Sequence, residues 1–200
     1  MSVDPRLTAA VREQLGNRRP HGAGRVGWKV GAGDAERIGD EPVAVGCLTS
    51  ATLLEPGATY RGGGRELRAD AEVAVEIAED GTPARFAVAL EICDFAGPPA
   101  PEDIVAGNIF HRAVAFAPPT SCVPDALEVV VNGESRRARR VAFDPAARVA
   151  AVRRVLDVVG ERLEPGDRVI TGSVVQVPVA RGDEVVAAAG GAGRVGLVIA

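Results

Sequence analysis

The sequence predicts an α+β fold that consists mainly of β-strands. Short apolar segments punctuated by glycine and proline follow one another through most of the chain, a pattern typical of strands joined by turns. Only two segments show clear helical periodicity. Strands and helices do not alternate, which argues against a doubly wound sheet. We therefore expect a β-rich fold with few helices.

The first helix is predicted at residues 5–16. Leu7, Val11 and Leu15 fall on one side at helical spacing. Pro5 suits the first turn, and Gly16 is a typical stop signal. We expect a short amphipathic helix followed by a polar loop.

A longer helix is predicted at residues 146–160. Asp144 followed by Pro145 is a typical N-cap and first helical position. The apolar residues at helical spacing are Val149, Val152, Leu156 and Val159. This side is expected to pack against the sheet.

The strand-like segments lie between and after these helices. Each is short, apolar or alternating, and bounded by turn residues. They are residues 27–31, 42–48, 67–78, 85–95, 113–118, 127–133, 167–172, 177–189 and 194–200.

Length and composition indicate an ordinary globular domain. The chain has 200 residues, of which 46% are hydrophobic and 25% are charged. We expect a single domain over residues 1–200, in which residues 1–24 form the short N-terminal helix and loop. The net charge of −4 gives no basic groove for nucleic acid. The one basic cluster, Arg136–Arg140, is expected at the solvated end of a hairpin.

No targeting or membrane segment is recognised, and the cysteine pattern is not that of a disulfide framework or a zinc site. Cys47, Cys93 and Cys122 are odd in number and widely spaced, with no CxxC pair. No apolar run is long enough to cross a membrane, and the N-terminus does not resemble a signal peptide. These features predict a cytoplasmic protein with reduced thiols.

The hexapeptide GAGRVG occurs twice, at residues 22–27 and 191–196. Its GxGxxG spacing is that of a dinucleotide-binding loop, which must follow a strand and open a helix. The first copy instead follows a polar loop and leads into a strand, and the second lies between two strand patterns. Both copies are therefore predicted to be turns, in which glycine supplies the backbone freedom.

Acidic residues interrupt two apolar strands. In residues 67–77, Asp70 and Glu72 share one face of the predicted strand, and Glu91 follows mostly apolar residues in the next strand. Neighbouring carboxylates repel one another unless a cation or a proton intervenes, and three oxygen ligands suit a hard divalent cation. The residues alone leave two interpretations open, a metal site and an ordinary strand whose acids face water.

For two further residues, Lys29 and His111, the sequence alone also leaves two interpretations open. Lys29 lies within a short apolar strand, where it is either a surface lysine or a buried acid–base group. His111 either lines a cleft or is a structural histidine of the core.

The motifs, taken in order, resemble the 2-keto-4-pentenoate hydratase / 4-oxalocrotonate decarboxylase branch of the fumarylacetoacetate hydrolase superfamily. The resemblance spans about residues 25–200, and it is carried by the ordered set rather than by any single motif. The motifs are GWKVG, LRADAEVAVEI, VALEICDF, GNIFHRAVAF, LEPGDRVITG and GAGRVGLVIA.

The resemblance implies a mixed β-sandwich roll, of the type found in the C-terminal domain of fumarylacetoacetate hydrolase, and a set of site residues. An acid-x-acid pair and a third acid bind Mg²⁺ or Mn²⁺ in this branch, a lysine is catalytic, and an ITG loop lies against the substrate. Matched to this sequence, the metal ligands are Asp70, Glu72 and Glu91, the catalytic residue is Lys29, and the substrate-binding residues are Thr171, Gly172, Asn108 and His111.

The implied function is that of a divalent-metal-dependent lyase, a hydratase or decarboxylase, that acts on a small 2-keto or 2-hydroxydienoic acid through a metal-stabilised enolate. The alternative is a catalytically altered homologue that serves as a partner subunit, or a repurposed biosynthetic enzyme. The resemblance also implies a homo-oligomer, with a related family subunit as a further partner.

Several positions depart from the pattern of this branch. Asp70 stands where a glutamate is usual, and Ala44 aligns with an acidic residue of the hydratases. Asn108-Ile109-Phe110 replaces an N-A-S sequence, much of the usual N-terminal helical region is absent, and the segment before Asn108 is short and rich in proline. These departures predict an altered, more apolar pocket.

Overall fold

The computed structural model describes residues 3–18, 23–97 and 100–200. Within these ranges the chain forms two mixed β-sheets that pack face to face, and helices cover the outer face of the larger sheet. The strands are β1 (Arg25–Gly31), β2 (Ala44–Thr49), β3 (Thr59–Tyr60), β4 (Leu67–Ile77), β5 (Pro83–Asp94), β6 (His111–Phe116), β7 (Ala126–Val131), β8 (Glu134–Arg140), β9 (Arg168–Pro178), β10 (Glu184–Ala188) and β11 (Arg194–Ile199).

The helices of the described residues are α1 (Pro5–Arg18), α2 (Pro101–Ala106) and α3 (Pro145–Val159), and Gly190–Ala192 form one 3₁₀ turn. None of these helices is both long enough and apolar enough to cross a lipid bilayer. Sequence periodicity did not predict α2, because six residues are too few to display a helical stripe.

The first predicted helix is two residues longer than expected, since α1 continues past Gly16 to Arg18. A glycine inside a helix costs about 1 kcal/mol relative to alanine, and burial of Leu7 and Val11 offsets that cost. Gln14 is also buried and donates through Nε2 to the backbone carbonyls of Val45 and Val105. Packing, and not the glycine at position 16, therefore determines where α1 ends.

The second predicted helix is confirmed with nearly the expected bounds. The carboxylate of Asp144 accepts a hydrogen bond from the Ala146 N–H, and Gly160 ends the helix in the left-handed conformation. The buried side is formed by Val149, Val152, Val155 and Leu156, whereas Val159 is only half-buried.

The larger sheet has the strand order β2-β1-β9-β4-β5-β6, and the smaller has the order β3-β11-β10-β7-β8. The β1–β9 and β3–β11 pairs are parallel and the other pairs are antiparallel, so both sheets are mixed as predicted. The strand predicted at residues 177–189 is wrong in its extent, because β9 ends at Pro178 and β10 starts at Glu184.

Strand β4 shows how alternation places the acidic residues. Ala69, Ala71 and Val73 point into the core between the two sheets. Asp70 and Glu72 point to the opposite face, as the period of two requires. The alternation stops there, because the pairing of β4 with β9 is irregular between Glu72 and Ala74 and the later apolar residues join the helix-covered core.

The basic cluster lies where it was predicted. Strands β7 and β8 form a hairpin, and all of Glu134–Arg140 is exposed. Its turn consists of Asn132 and Gly133, both with positive φ. Cys47, Cys93 and Cys122 form no disulfide with one another.

Neither glycine hexapeptide opens an α-helix in the described residues, but the prediction that both copies are turns is only partly right, because Arg25–Gly27 belong to β1 and Arg194–Gly196 to β11. Gly22 lies outside the described residues. The described part of the first copy leads into β1, and the second copy passes from the 3₁₀ turn into β11. Gly27 has a φ of 154°, and a Cβ at this position would lie 1.9 Å from the carbonyl oxygen of Arg168 on β9. This glycine therefore permits the parallel approach of β1 to β9.

Replacement of Gly27 tests that close approach. We expect Gly27→Ala to lower the free energy of unfolding by about 3 kcal/mol or more, since backbone atoms of two strands must separate. Chemical denaturation measures the change. The matched control is Gly16→Ala in α1, where a Cβ has no heavy atom within 4 Å. That substitution is expected to be neutral or to stabilise by about 0.5–1 kcal/mol. Equal effects of the two substitutions would contradict this explanation.

Candidate metal centre and active site

Neighbouring strands of the larger sheet bring the predicted site residues together. Asp70 on β4 is directly opposite Glu91 on β5 and, on its other side, opposite Gln176 on β9. Lys29 lies on β1, beside β9, and His111 begins β6, beside β5. Residues that are far apart in sequence thus meet because their strands are adjacent.

The centre of the site is an ion pair between Lys29 and Glu91. Nζ of Lys29 lies 2.5 Å from Oε1 of Glu91, and the two residues are 3% and 0% exposed. In a flat sheet, β1 and β5 would lie about 14 Å apart, at about 4.8 Å for each of three strand spacings. The contact therefore requires the sheet to curl and the lysine to extend across it.

Glu91 receives a second buried donor from His111. The Nδ1 atom of His111 lies 2.7 Å from the same Oε1 of Glu91, and its Nε2 atom lies 2.9 Å from Oγ1 of Thr52. A carboxylate only accepts hydrogen bonds, so the proton is assigned to Nδ1. His111 thus orients Glu91 from the side opposite the lysine.

A strained segment holds Lys29 from another direction. Asn108, Ile109 and Phe110 have φ values of 72°, 52° and 61°, which are unusual for residues other than glycine and especially for β-branched Ile109. The carbonyl of Ile109 accepts a hydrogen bond of 2.9 Å from Nζ of Lys29. Strain of this kind persists only when the surroundings enforce it.

The side chain of Asn108 supplies that enforcement. Its Oδ1 atom accepts from the N–H of Cys47 at 2.8 Å, and its Nδ2 atom donates to the carbonyl of Cys47 at 3.0 Å. The amide is therefore engaged with the backbone of β2. A direct contact of Asn108 or His111 with substrate stays a prediction, and in the structure both residues position their neighbours.

Gly46 on β2 leaves room for the lysine. It is paired with Lys29, and a Cβ at this position would lie 2.6 Å from Cγ of Lys29 and 2.8 Å from Oδ1 of Asn108. A larger residue here would displace both side chains.

Thr171 and Gly172 lie within β9, so the loop implied for residues 170–172 is wrong, and the two residues join the site from a strand. The hydroxyl of Thr171 donates to the carbonyl of Val73 at 2.9 Å. The N–H of Gly172 donates to Oε2 of Glu72 at 2.7 Å. Both residues line the cavity described below. The hydrogen bond from Gly172 holds the carboxylate of Glu72 towards β9.

Asp70, Glu91 and Cys93 form the cluster that fits a metal ion. One potential ligand atom from each lies within 4.8 Å of the other two, and all three residues are buried. Among the described residues, Oδ1 of Asp70 and Oε2 of Glu91 have no hydrogen-bond partner. Buried carboxylate oxygens without partners are costly, and a divalent cation would satisfy both. The residues present therefore fit a divalent cation.

The charges of the ion pair stabilise each other. Burial alone would raise the pKa of Glu91, but the charge of Lys29 and the hydrogen bond from His111 outweigh it and lower this pKa to about 2. Burial alone would lower the pKa of Lys29, but Cys93, Glu91 and Glu72 reverse the direction and raise it above the ordinary value. Without a metal, Lys29 is thus an ammonium ion and Glu91 a carboxylate.

The pKa values of the other two acids in the site are raised, in contrast to that of Glu91. Burial, followed by the charge of Glu91, raises the pKa of Asp70 to about 7. The same two causes raise the pKa of Glu72 well above its ordinary value. Burial and Glu91 also raise the pKa of the Cys93 thiol, so this group is neutral at neutral pH in the metal-free protein. Carboxyl groups whose pKa values are pushed apart in one cleft are typical of functional sites.

These residues lie on the wall of a cavity of about 400 Å³. Its size is within the range of small-molecule sites. The apolar part of the wall includes Phe95, Ile109, Phe110 and Phe143, and the rings of Phe95 and Phe110 stack at a centroid distance of 4.4 Å. The wall thus combines aromatic and charged residues, and the expectation of a pocket that is more apolar or altered relative to the family it resembles stays a prediction.

Three charged residues of this wall, Asp34, Glu36 and Arg148, were missed by the sequence analysis. Glu36, in the loop after β1, accepts a hydrogen bond at Oε1 from the N–H of Gly33. Arg148, in the first turns of α3, lies over the ring of Phe143 and makes no ion pair of 4 Å or less with a described carboxylate. None of these positions has a local signature, because only the packing of the loop and the helix brings them to the cavity.

The structure decides between the open interpretations of the acids and the lysine. Asp70 and Glu72 are 4% and 1% exposed, so the interpretation of acids facing water is wrong. A surface role for Lys29 is wrong for the same reason. Cys93, which stands two residues after Glu91 on one strand face, could have been noticed from that spacing.

Comparisons with known proteins place the fold. No protein-family model matches the chain, and no curated protein matches it in sequence. The architecture is nevertheless that of the mixed β-sandwich rolls to which the motifs pointed, so the resemblance is confirmed at the level of the fold.

Three solved structures illustrate the similarity. The 4-oxalocrotonate decarboxylase from Pseudomonas putida G7, complexed with magnesium and adipate, has a TM-score of 0.84 at 20% identity, over 97% of this chain and 86% of that chain. Fumarylpyruvate hydrolase from Pseudomonas aeruginosa, in complex with Mn²⁺ and pyruvate, has a TM-score of 0.62 at 21% identity, over 86% and 88%. The 5-carboxymethyl-2-hydroxymuconate delta-isomerase from Mycobacterium smegmatis has a TM-score of 0.60 at 15% identity, over 88% and 78%.

The raised pKa of Asp70 predicts a pH dependence of stability in the metal-free protein. A group with a pKa raised by folding stabilises the fold below its unfolded pKa, and this contribution disappears as the pH rises through about 7. We expect the free energy of unfolding of the native protein to fall relative to that of Asp70→Asn, by on the order of 2 kcal/mol between about pH 5 and about pH 8.

Urea denaturation of both proteins in the presence of a chelator measures this difference. The asparagine variant is the control, because its neutral amide resembles the protonated acid at every pH. A difference that stays constant with pH, or that rises with it, would contradict the assignment of Asp70.

Proposed function

We propose that this protein is a divalent-metal-dependent lyase that acts on a small 2-keto or 2-hydroxydienoic acid. The observation that carries the proposal is the pair of unpartnered buried oxygens, Oδ1 of Asp70 and Oε2 of Glu91, beside a buried ammonium group on the wall of a cavity. We propose Asp70 and Glu91 as metal ligands, with Glu72 as the third carboxylate of the set. When bound, a divalent cation supplies Lewis-acid stabilisation of the negative charge that develops on the 2-oxo group.

The known structures of similar fold support this proposal. They include a decarboxylase, a hydrolase and an isomerase. The decarboxylase was solved with magnesium and with calcium, and the hydrolase with Mn²⁺. We extend the divalent cation, as Mg²⁺ or Mn²⁺, to this chain because its donor set fits such an ion. A cytoplasmic location, a single domain over residues 1–200 and a homo-oligomeric state belong to the same proposal.

Lys29 is the group we propose for proton transfer. It is held at Nζ by Glu91 and by the carbonyl of Ile109, so its direction is fixed. Since its pKa is raised in the metal-free protein, it begins as a proton donor. It becomes a base only after it has delivered that proton to the substrate.

The wall of the cavity contributes binding and the exclusion of water. Phe95, Phe110 and Phe143 would cover the carbon chain of a substrate, and Thr171 and Gly172 of β9 line the same cavity. Arg148 supplies a positive charge that is not neutralised by a described carboxylate, and we propose that it binds a second anionic group of the substrate.

The direct test is turnover with two substrates. Purified protein with Mg²⁺ or Mn²⁺ is incubated with 2-hydroxypenta-2,4-dienoate or with 4-oxalocrotonate, and the loss of the conjugated chromophore is followed by ultraviolet absorbance. Hydration consumes the dienoate, whereas decarboxylation consumes 4-oxalocrotonate and releases CO₂. Metal binding without turnover of either compound would instead favour the altered homologue that acts as a partner subunit or in biosynthesis.

Replacement of the lysine separates proton transfer from metal binding. We expect Lys29→Met to lower kcat by about 10²- to 10⁴-fold, because the proton donor is lost. Metal affinity should be retained or increased, since the positive charge of the ammonium group no longer repels the cation. Calorimetric titration with Mn²⁺ and steady-state kinetics provide the two measurements. Unchanged turnover would remove Lys29 from the mechanism.

Replacement of Arg148 tests the second anionic group. We expect Arg148→Gln to raise KM for a dicarboxylate such as 4-oxalocrotonate by about tenfold. A change of this size corresponds to the loss of one hydrogen bond between charged groups. KM for monocarboxylic 2-hydroxypenta-2,4-dienoate should change much less. Arg162→Gln is the control, because its side chain is 82% exposed and lies outside the cavity wall. An equal rise for both substrates would contradict this role of Arg148.

A further inference from the structure

We propose that Sγ of Cys93 is a direct metal ligand together with Asp70 and Glu91, and that this sulfur makes the site favour Zn²⁺ and similar borderline or soft cations over Mg²⁺. The inference rests on the cation site of the proposed function and not on its reaction. It concerns the identity of the ion and adds a sulfur ligand to the carboxylates proposed above.

The geometry of the cluster supports sulfur ligation. Sγ of Cys93 lies 3.9 Å from Oδ2 of Asp70, and the three ligand atoms lie within 4.8 Å of one another. In a tetrahedral site with Zn–S near 2.3 Å and Zn–O near 2.0 Å, an oxygen and a sulfur ligand lie about 3.5 Å apart. A closure of at most about 1.5 Å by flexible side chains therefore suffices.

The unpartnered oxygens point to the same ion independently of the cysteine. Oε1 of Glu91 is occupied by Lys29 and His111, whereas Oε2 has no partner. Oδ2 of Asp70 accepts from Gln176, whereas Oδ1 has no partner. Each carboxylate thus keeps one oxygen for a cation without breaking the network that orients it.

Glu72 is placed less favourably for a first contact with the ion. Its carboxylate is not part of the cluster of Asp70, Glu91 and Cys93, and its Oε2 accepts from the N–H of Gly172. A site with two oxygens and one sulfur results. A thiolate ligand selects for Zn²⁺ and against the hard cation Mg²⁺, which prefers six oxygen ligands.

The atoms and electrons balance when the metal–sulfur bond forms. The S–H bond of Cys93 breaks, its electron pair forms the bond to the cation, and the proton leaves to the solvent. No oxidant or reductant takes part.

The experiment uses the full-length protein after removal of metal with a chelator. Titration with Cd²⁺ and with Co²⁺ is followed by absorbance, since a thiolate ligand produces a charge-transfer band that carboxylates do not. We expect the band to grow to one equivalent, and to be lost in Cys93→Ser. Zn²⁺ affinity should fall on the order of tenfold or more in that variant, with a much smaller change for Mg²⁺.

The controls are Cys47→Ser and Cys122→Ser, in which the band should remain. X-ray absorption of the Zn²⁺-loaded native protein gives a reading that needs no variant, because a sulfur ligand appears near 2.3 Å, separate from oxygen near 2.0 Å. A shell of oxygen and nitrogen only, or a band that survives in Cys93→Ser, overturns the proposal. Mn²⁺ binding and turnover without any metal–sulfur signal would overturn it and leave the proposed function standing.

Discussion

The buried ion pair of Lys29 and Glu91 is the interaction on which the site depends. Each charge is tolerated in the interior because the other is present, and removal of one partner of a buried pair costs about 3–5 kcal/mol. The pair links β1 to β5 across two intervening strands, so it is tied to the curl of the larger sheet. His111 and the carbonyl of Ile109 complete its hydrogen bonds and thereby fix the direction of both charges.

The pair also sets the properties of the groups around it. Burial, together with the negative charge that Glu91 keeps, raises the pKa values of Asp70 and Glu72, so binding of a cation by these acids would displace a proton to the solvent. The strained backbone at residues 108–110 belongs to the same arrangement, because the Asn108 amide is held by Cys47 and the next carbonyl faces the lysine. Charge, strain and curvature are thus parts of one structure, and none of them could be altered alone.

Many of the site residues could be predicted from the sequence, but their burial and the remaining residues of the cavity wall could not. The alternation in residues 67–73 placed Asp70 and Glu72 on one face, and the order of the motifs pointed to Lys29 and Glu91. Burial could not be predicted, because an alternating strand looks the same whether water or a curled sheet covers its polar face. Arg148 and Glu36 could not be found either, since a helix and a loop with no local signature bring them to the cavity. The helix α1 was placed correctly, but its end was not, because packing outweighed the glycine at position 16.

By itself the sequence determined the mainly β fold, the two long helices, the hairpin that carries the basic cluster and the strands that carry the acids. These follow from short-range periodicity, capping and turn chemistry, which act within a few residues along the chain. Only the tertiary structure decided which acids share a cation site, that Cys93 joins them, and that Lys29 is charged and buried. Those outcomes depend on strand order and sheet curvature, because the protonation and ligand state of each group is set by neighbours that lie dozens of residues away in sequence.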